Sequence, residues 1–184
     1  MKSQKTMQMA EIALMSAVLC VISPFTIPVP ASPVPLSLAL FGVYLAAVLL
    51  GAKKSALSVF IYLLLGAVGL PVFSGFSGGI GVLAGPTGGY LVGYLLCAVI
   101  VGLVTEAAIR VGKWQFAQGV LALILGTLTC YLFGTIWFLV IMKGTYTVEQ
   151  ALVVCVVPYL LFDAIKIVAA ASIAIPIQRI LRRM

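Results

Sequence analysis

Long apolar segments alternate along the chain with short stretches of glycine, proline or basic residues. About 20 consecutive apolar residues cross the hydrocarbon core of a bilayer as a helix, and polar or glycine-rich stretches separate the crossings. The second predicted helix is short for a bilayer. The sixth is longer than needed, so we expect it to tilt, to kink at Pro158 or to begin outside the hydrocarbon. The pattern predicts six transmembrane helices, at residues 8–23, 34–50, 55–72, 88–109, 115–141 and 147–178.

Composition supports the same interpretation. Hydrophobic residues make up 64% of the 184 residues and charged residues only 8%, more apolar surface than a soluble domain of this length can bury. The first apolar segment runs into prolines where a signal peptide would have a small-residue cleavage site, so we expect it to be retained. The sequence therefore predicts an all-α integral membrane protein with a single domain, residues 1–184.

The basic residues fall almost entirely on one side of a six-helix topology. The opposite connections carry a single lysine, Lys143. Because basic residues favour the cytoplasmic side, we expect both termini inside, in a bacterial-type cell membrane. This topology accounts for the net charge of +7, so no nucleic-acid partner is expected. The residues on the predicted cytoplasmic side are Lys2, Lys5, Lys53, Lys54, Arg110, Lys113, Arg179, Arg182 and Arg183.

Several kinds of chemistry are excluded by residue types that the chain lacks. It has no histidine, which removes Ser-His hydrolysis, histidine-ligated metals and histidine proton relays. Its four cysteines lie singly within apolar segments, without metal-ligand or redox spacing. No G-x-x-x-x-G-K-[ST] phosphate loop occurs, so ATP-driven work would need a partner. We expect a protein that is not an enzyme and holds no cofactor or metal.

Two opposite charges lie inside the sixth predicted helix. Asp163 and Lys166 are three residues apart and therefore share one helix face. Each costs roughly 2.5 to 3.5 kcal/mol at the membrane centre, and intramembrane charges usually mark functional sites. The alternative is a self-neutralising pair that only fixes helix packing. As a site, the pair suits a neutral ligand head with N–H and C=O groups or, through Lys166, an anionic tail. We interpret Glu11, Glu106 and Glu149 as structural residues at helix ends.

A glycine-rich stretch, residues 73–90, precedes the fourth predicted helix on the outer side. Irregular backbone survives at membrane depth only where it lines a cavity or is buried in protein. Glycine lets a ligand approach the backbone, while hydroxyl and aromatic side chains supply hydrogen bonds and walls. An equally weighted alternative is a flexible connection that leads into a small-residue helix interface. The candidate binding residues here are Phe73, Thr87, Gly88, Gly89 and Tyr90.

Two motifs together carry a family resemblance. GVLAGPTGGYLVGY at residues 81–94, followed by P-x-x-x-x-D-x-x-K from Pro158 to Lys166, resembles the BioY family. Members of this family are the biotin-specific S components of energy-coupling-factor (ECF) transporters. PVP at residues 33–35 and YLLLGAVGLPVFSG at residues 62–75 extend the resemblance over nearly the whole chain.

The resemblance implies a six-helix S component that binds biotin at the outer face and carries it inward. It implies a transmembrane coupling protein (T component) and two ATPase subunits as partners, and leaves a homo-oligomer possible. Asp163 would accept from a ureido N–H, and Lys166 would donate to the ureido carbonyl or the carboxylate. Gly85 of the GPTGGY motif joins the candidate site. After PVP, Ser37 keeps the hydroxyl that relatives have as threonine, whereas Ala39 stands where relatives commonly have glutamine.

The first predicted helix carries alanines that suit a contact with another protein. Ala10, Ala13, Ala17 and the neighbouring Ser16 lie on overlapping faces, and the resemblance favours docking on the coupling protein over close packing within the bundle. Two other functions stay open. One is a solitary biotin carrier that works without ATPases. The other is a structural membrane protein or an intramembrane enzyme.

Overall fold

The computed structural model describes residues 2–28, 34–112 and 115–181. The all-α prediction is confirmed, apart from a two-stranded antiparallel hairpin, β1 (Thr26–Ile27) and β2 (Leu36–Ser37). Pro33 of the PVP motif and the predicted cytoplasmic residues Lys113, Arg182 and Arg183 lie outside the described residues. The helices are α1 (Lys2–Ile22), α2 (Ala39–Ala67), α3 (Ile80–Ala84), α4 (Gly88–Arg110), α5 (Phe116–Ile141), α6 (Val148–Cys155) and α7 (Val157–Leu181).

Five of these helices, α1, α2, α4, α5 and α7, are long and apolar enough to cross a membrane. Large apolar side chains cover the outside of the bundle: Leu161 is 70% exposed and Leu132 is 64% exposed. An apolar outer surface on helices of this length suits hydrocarbon as the surrounding medium. The chain is therefore a multi-pass membrane protein.

The bundle is built around α4, which packs against α2 on one side and α5 on the other, while α7 contacts both α2 and α5. Small residues let these helices approach closely. A Cβ atom on Gly102 would lie 2.4 Å from the Cα atom of Ala52, and one on Gly126 would lie 2.7 Å from the sulfur of Cys97. Glycine at these positions is therefore a packing requirement.

Helix α2 is interrupted at Gly51. This residue has φ 76° and ψ 179°, a left-handed conformation that side chains disfavour. The Oε1 atom of Glu106 accepts a hydrogen bond from the N–H of Ala52 at 2.9 Å, so α4 caps the second half of α2. The sequence predicted separate helices at 34–50 and 55–72. The structure instead joins residues 39–67 without a loop and places the break at Gly51.

The two halves of α2 lie beside the same level of the bundle. Before the break, Tyr44 is hydrogen-bonded to Thr127 at 2.5 Å, and the neighbouring Gly126 packs against Cys97. After the break, Ser55 donates to the carbonyl of Ala98 at 3.4 Å. Residues on both sides of Gly51 therefore lie level with the middle of α4.

The sixth predicted helix is divided into α6 and α7 at Val156, whose φ of −123° and ψ of −55° end α6. Pro158 follows as the second residue of α7, in the first helical turn, where its missing N–H leaves no hydrogen bond unmade. Thr147 begins α6 through a reciprocal capping box with Gln150. In the first turn of α7, Tyr159 is buried, whereas Val157 and Leu160 are exposed.

Helix α1 is attached to α2 along a polar seam. Ser16 donates to the carbonyl of Ser58 at 3.1 Å, and Ser58 donates to the carbonyl of Ile12 at 3.2 Å. At one end of the seam Lys54 and Glu11 form an ion pair at 2.5 Å. At the other end, the last turn of α1 is followed by Ser23, which is hydrogen-bonded to Tyr62 of α2 at 2.5 Å.

The alanines of α1 face away from this seam. Ala10, Ala13 and Ala17 are all exposed, whereas Ile12 and Ser16 are buried. Ser16, which the sequence grouped with the alanines, packs against α2 instead. The alanine face of α1 therefore does not pack within the bundle.

Candidate ligand-binding site

Asp163 and Lys166 form a buried ion pair on α7. The Nζ atom of Lys166 lies 2.8 Å from the Oδ1 atom of Asp163, and the two residues are only 8% and 4% exposed. Among the described residues, the other ion pair is that of Glu11 and Lys54, whose side chains are about one-third exposed. The two charges of α7 therefore share one helix face, as the sequence predicted, and they are in direct contact.

Hydrogen bonds from neighbouring elements complete this polar centre. The ammonium of Lys166 also donates to the carbonyl of Ser37 in β2, at 2.7 Å. Tyr131 of α5 donates its hydroxyl to the Oδ2 atom of Asp163. An ammonium has three protons and a carboxylate has about four acceptor positions, so both groups keep capacity for a further partner.

A small inner cavity, about 40 Å³ in volume, adjoins the ion pair. Its walls combine the two charges with phenol rings and apolar groups, which is the composition of a site for a small ligand with a polar head. The lining residues are Val34, Pro35, Ser37, Leu40, Tyr90, Tyr94, Cys130, Tyr131, Cys155, Tyr159, Asp163 and Lys166.

A larger cavity of about 200 Å³ adjoins the inner one and shares four of its lining residues. The shared residues come from the segment after β1 and from α4, so the two cavities meet between Val34, Pro35, Tyr90 and Tyr94. The remaining wall of the outer cavity holds three hydroxyl groups beside apolar side chains. It consists of Phe73, Ser74, Ser77, Val82, Thr87 and Leu91.

The structure places four of the predicted loop and strand residues at these cavities. Phe73, Thr87 and Tyr90 line the outer cavity, and Tyr90 and Ser37 line the inner one. The Ser37 hydroxyl is already engaged by the fold, because it donates to the carbonyl of Ser23 at 2.9 Å and accepts from the N–H of Ala39 at 2.9 Å. Ser37 therefore contacts the ion pair through its backbone carbonyl, which accepts from Lys166.

The three predicted glycines do not line either cavity. A Cβ atom on Gly88 would lie 1.7 Å from the carbonyl oxygen of Leu83, and one on Gly89 would lie 2.1 Å from the Cβ atom of Trp137. Gly85 accepts a hydrogen bond from the indole N–H of Trp137 at 3.0 Å. The close approach that these glycines permit is thus to the chain's own backbone and to α5, as the helix-interface alternative predicted.

Sequence reasoning missed three tyrosines near the ion pair, one each in α4, α5 and α7. Tyr131 contacts Asp163, Tyr159 donates to the carbonyl of Val34, and Tyr94 lines both cavities. A tyrosine in the middle of an apolar helix needs a partner for its hydroxyl, and that requirement was the signal available in the sequence. Among the described residues, no three histidine, cysteine or acidic side chains are grouped so that they could hold a metal ion.

Together the fold and the site define a class: a multi-pass α-helical membrane protein with a small cavity beside a buried ion pair. Comparison with known proteins gives the family. The BioY family profile matches residues 1–183. The chain belongs to the BioY family, as the sequence motifs predicted.

Individual relatives agree with this assignment. The chain is 41% identical over 157 residues to the biotin transporter BioY of Thermotoga maritima, covering 84% of this chain and 86% of the relative. It is 38% identical over 152 residues to the probable biotin transporter BioY of Pyrococcus horikoshii, covering 83% and 85%. Its fold is similar to a crystal structure of the S-component for biotin from an ECF-type ABC transporter. That match has a TM-score of 0.88 and 25% identity and covers 97% of this chain and 94% of the other.

Proposed function

We propose that this protein is the biotin-binding S component of an ECF-type importer, with biotin held in the two adjoining cavities. The observation that carries the proposal is the buried pair of Asp163 and Lys166 at the inner cavity. Burying two charges is costly, and replacing such a pair by apolar residues is often neutral or stabilising. A pair that keeps unused hydrogen-bonding capacity beside a cavity fits a ligand site better than a packing device.

The ureido ring of biotin fits the inner cavity. It is uncharged and offers two N–H donors and one carbonyl acceptor. One N–H matches the carboxylate of Asp163, and the carbonyl matches the remaining proton of Lys166. The carboxylate of biotin fits this position poorly, because any group that contacts Lys166 also lies near Asp163, 2.8 Å away. We therefore assign the ureido ring to the ion pair.

The outer cavity then receives the rest of the ligand. Its apolar wall, which includes Phe73 and Leu91, suits the valeryl chain, while Ser74 and Thr87 offer hydroxyl donors to the carboxylate. This orientation places the negative charge of biotin in the cavity that Asp163 does not line.

The break at Gly51 supports six membrane crossings. Since residues on both sides of Gly51 lie level with the middle of α4, the two halves of α2 run in opposite directions and count as separate crossings. Lys53 and Lys54 follow this reversal directly. The excess of basic residues on this side supports a cytoplasmic location for the reversal and for both termini.

The exposed face of α1 supports a protein partner in the membrane. Ala10, Ala13 and Ala17 present small side chains outward, where a partner helix can approach closely. We assign this face to the T component, which would link the chain to two ATPase subunits. Biotin uptake that persists in cells without these subunits would favour the solitary carrier instead.

Equilibrium binding of biotin to the detergent-purified protein tests the site. We expect Asp163→Asn and Lys166→Ala each to weaken binding by roughly a hundredfold or more, since losing one partner of a buried hydrogen-bonded charge pair costs about 2 to 5 kcal/mol. Asp163→Asn keeps the shape of the side chain and an acceptor for Tyr131, so the variant should remain folded.

The matched controls are Glu11→Gln and Lys54→Ala, which remove the members of the ion pair that lies away from the cavities. Both should bind biotin as tightly as the unmodified protein. Unchanged affinity in both α7 variants would reject the site, and absence of biotin binding by the unmodified protein would reject the function.

A further inference from the structure

The hydroxyl groups of the interior tyrosines separate into two kinds. Six of the seven tyrosines lie in α2, α4, α5 or α7. Buried phenol hydroxyls normally have a hydrogen-bond partner. Five of the six have one: Tyr44 with Thr127, Tyr62 with Ser23, Tyr90 with Thr135, Tyr131 with Asp163 and Tyr159 with the carbonyl of Val34.

Tyr94 is the exception. Among the described residues, its hydroxyl makes no hydrogen bond, yet it lies in the middle of α4 between the buried residues Gly93 and Cys97. Its side chain keeps part of its accessible surface because it lines both the inner and the outer cavity. The hydroxyl is thus an unused polar group on the wall of the proposed binding site.

The hydrogen-bonding groups of biotin indicate a partner for the Tyr94 hydroxyl. The ureido ring has two N–H donors and one carbonyl acceptor. The remaining proton of Lys166 serves the carbonyl. Asp163 serves one N–H, because the two N–H groups of the five-membered ring point to opposite sides of the carbonyl, and a carboxylate held beside Lys166 reaches only one of them. The second N–H needs another acceptor, because an unmatched buried donor carries a desolvation penalty.

We propose that Tyr94 is a specificity-determining residue whose phenol oxygen accepts the second ureido N–H, an inference that rests on the proposed binding of biotin. Tyr94 lies one helical turn after Tyr90, and the two rings line the junction of the cavities from the same face of α4. Tyr94 lines both cavities, and its hydroxyl completes the set of groups that match the ureido ring.

Removal of this hydroxyl tests the inference. Tyr94→Phe should weaken biotin binding about tenfold, while the unfolding temperature of the ligand-free protein stays unchanged, because no protein hydrogen bond is lost. The matched control is Tyr62→Phe, whose hydroxyl is bonded to Ser23 and lies outside both cavity linings. Tyr62→Phe should lower the unfolding temperature and leave biotin affinity unchanged.

Two analogues of biotin locate the contact on the ligand. Dethiobiotin lacks the sulfur, and biotinamide lacks the negative charge, but both keep the ureido ring. The loss caused by Tyr94→Phe should be the same, about tenfold, for biotin and both analogues. A loss that disappears with either analogue would place the contact on the sulfur or the carboxylate and overturn the inference.

The outcomes also separate this inference from the function on which it rests. If the unmodified protein binds biotin and Tyr94→Phe binds it equally well, only the role of Tyr94 is rejected. If the unmodified protein does not bind biotin, the proposed function and the inference are rejected together.

Discussion

Individual residues at the polar centre differ in how far the sequence reveals them. Asp163 and Lys166 could be predicted because a charge inside an apolar helix is costly and therefore conspicuous. Tyr131 and Tyr159 could not be singled out, because an isolated tyrosine in an apolar helix is compatible with the bundle interior, the membrane interface or the lipid-facing surface. Only the three-dimensional contacts show that their hydroxyls face Asp163 and Val34.

Gly89 of the GPTGGY motif is another residue whose role could not be read from the sequence alone. Gly89 was predicted to let a ligand approach, but its missing side chain makes room for Trp137. We expect Gly89→Ala to lower the free energy of unfolding by about 1 to 3 kcal/mol, because the added methyl group overpacks the contact between α4 and α5. Thermal unfolding in detergent measures this effect.

Gly81→Ala is the matched control for this substitution. Gly81 lies in α3, and nothing lies within 4 Å of the position that its Cβ atom would take. Its replacement should leave the unfolding temperature unchanged or raise it slightly, since alanine favours a helix. Equal destabilisation by both substitutions would contradict the packing role of Gly89.

At the scale of helices, hydropathy predicted where apolar segments occur but not how they are joined. Gly51, Lys53 and Lys54 indicated an interruption between the second and third segments. The structure makes this connection through one left-handed residue and a hydrogen bond from α4. That bond depends on Glu106, which lies 54 positions further along the chain, so it cannot be predicted from the local sequence.

Glu106 therefore offers a prediction about the α2 break. Glu106→Ala should lower the free energy of unfolding by about 1 to 3 kcal/mol, because the N–H of Ala52 loses its acceptor. Glu106→Gln keeps an oxygen at the same position and should lose much less. Thermal unfolding of the two variants, beside Glu149→Ala at the exposed first turn of α6, checks the effect. Equal losses in Glu106→Ala and Glu106→Gln would contradict capping through the side-chain oxygen.

At the scale of the whole molecule, the predicted topology rests on where the basic residues fall. The two halves of α2, the connection from α6 to α7 and the exposed apolar surface all agree with a bundle that crosses the membrane. Which end of the bundle faces the cytoplasm follows from charge alone, because the packing of the helices is the same in either orientation.

Single cysteines introduced at opposite ends test the orientation. Lys53→Cys should react with a membrane-impermeant maleimide only after the cells are opened, and Thr145→Cys should react in intact cells, since both positions are exposed. The unmodified chain supplies the background, because its native cysteines are buried except for the partly buried Cys20. The reverse labelling pattern would overturn the assignment of the cytoplasmic side.

The polar seam between α1 and α2 determines where α1 can begin to separate from the bundle. Lipid is as apolar as the helix faces, so burying those faces against each other adds little stability. The polar contacts of the seam therefore largely hold α1 against α2, at roughly 0.6 kcal/mol each. The bonds of Ser16, Ser58 and Ser23 have no competing solvent. The pair of Glu11 and Lys54, each about one-third exposed, does meet water. Salt therefore weakens only the ion pair of Glu11 and Lys54. We expect α1 to begin to separate from α2 at this pair, while the hydrogen bonds along the rest of the seam remain.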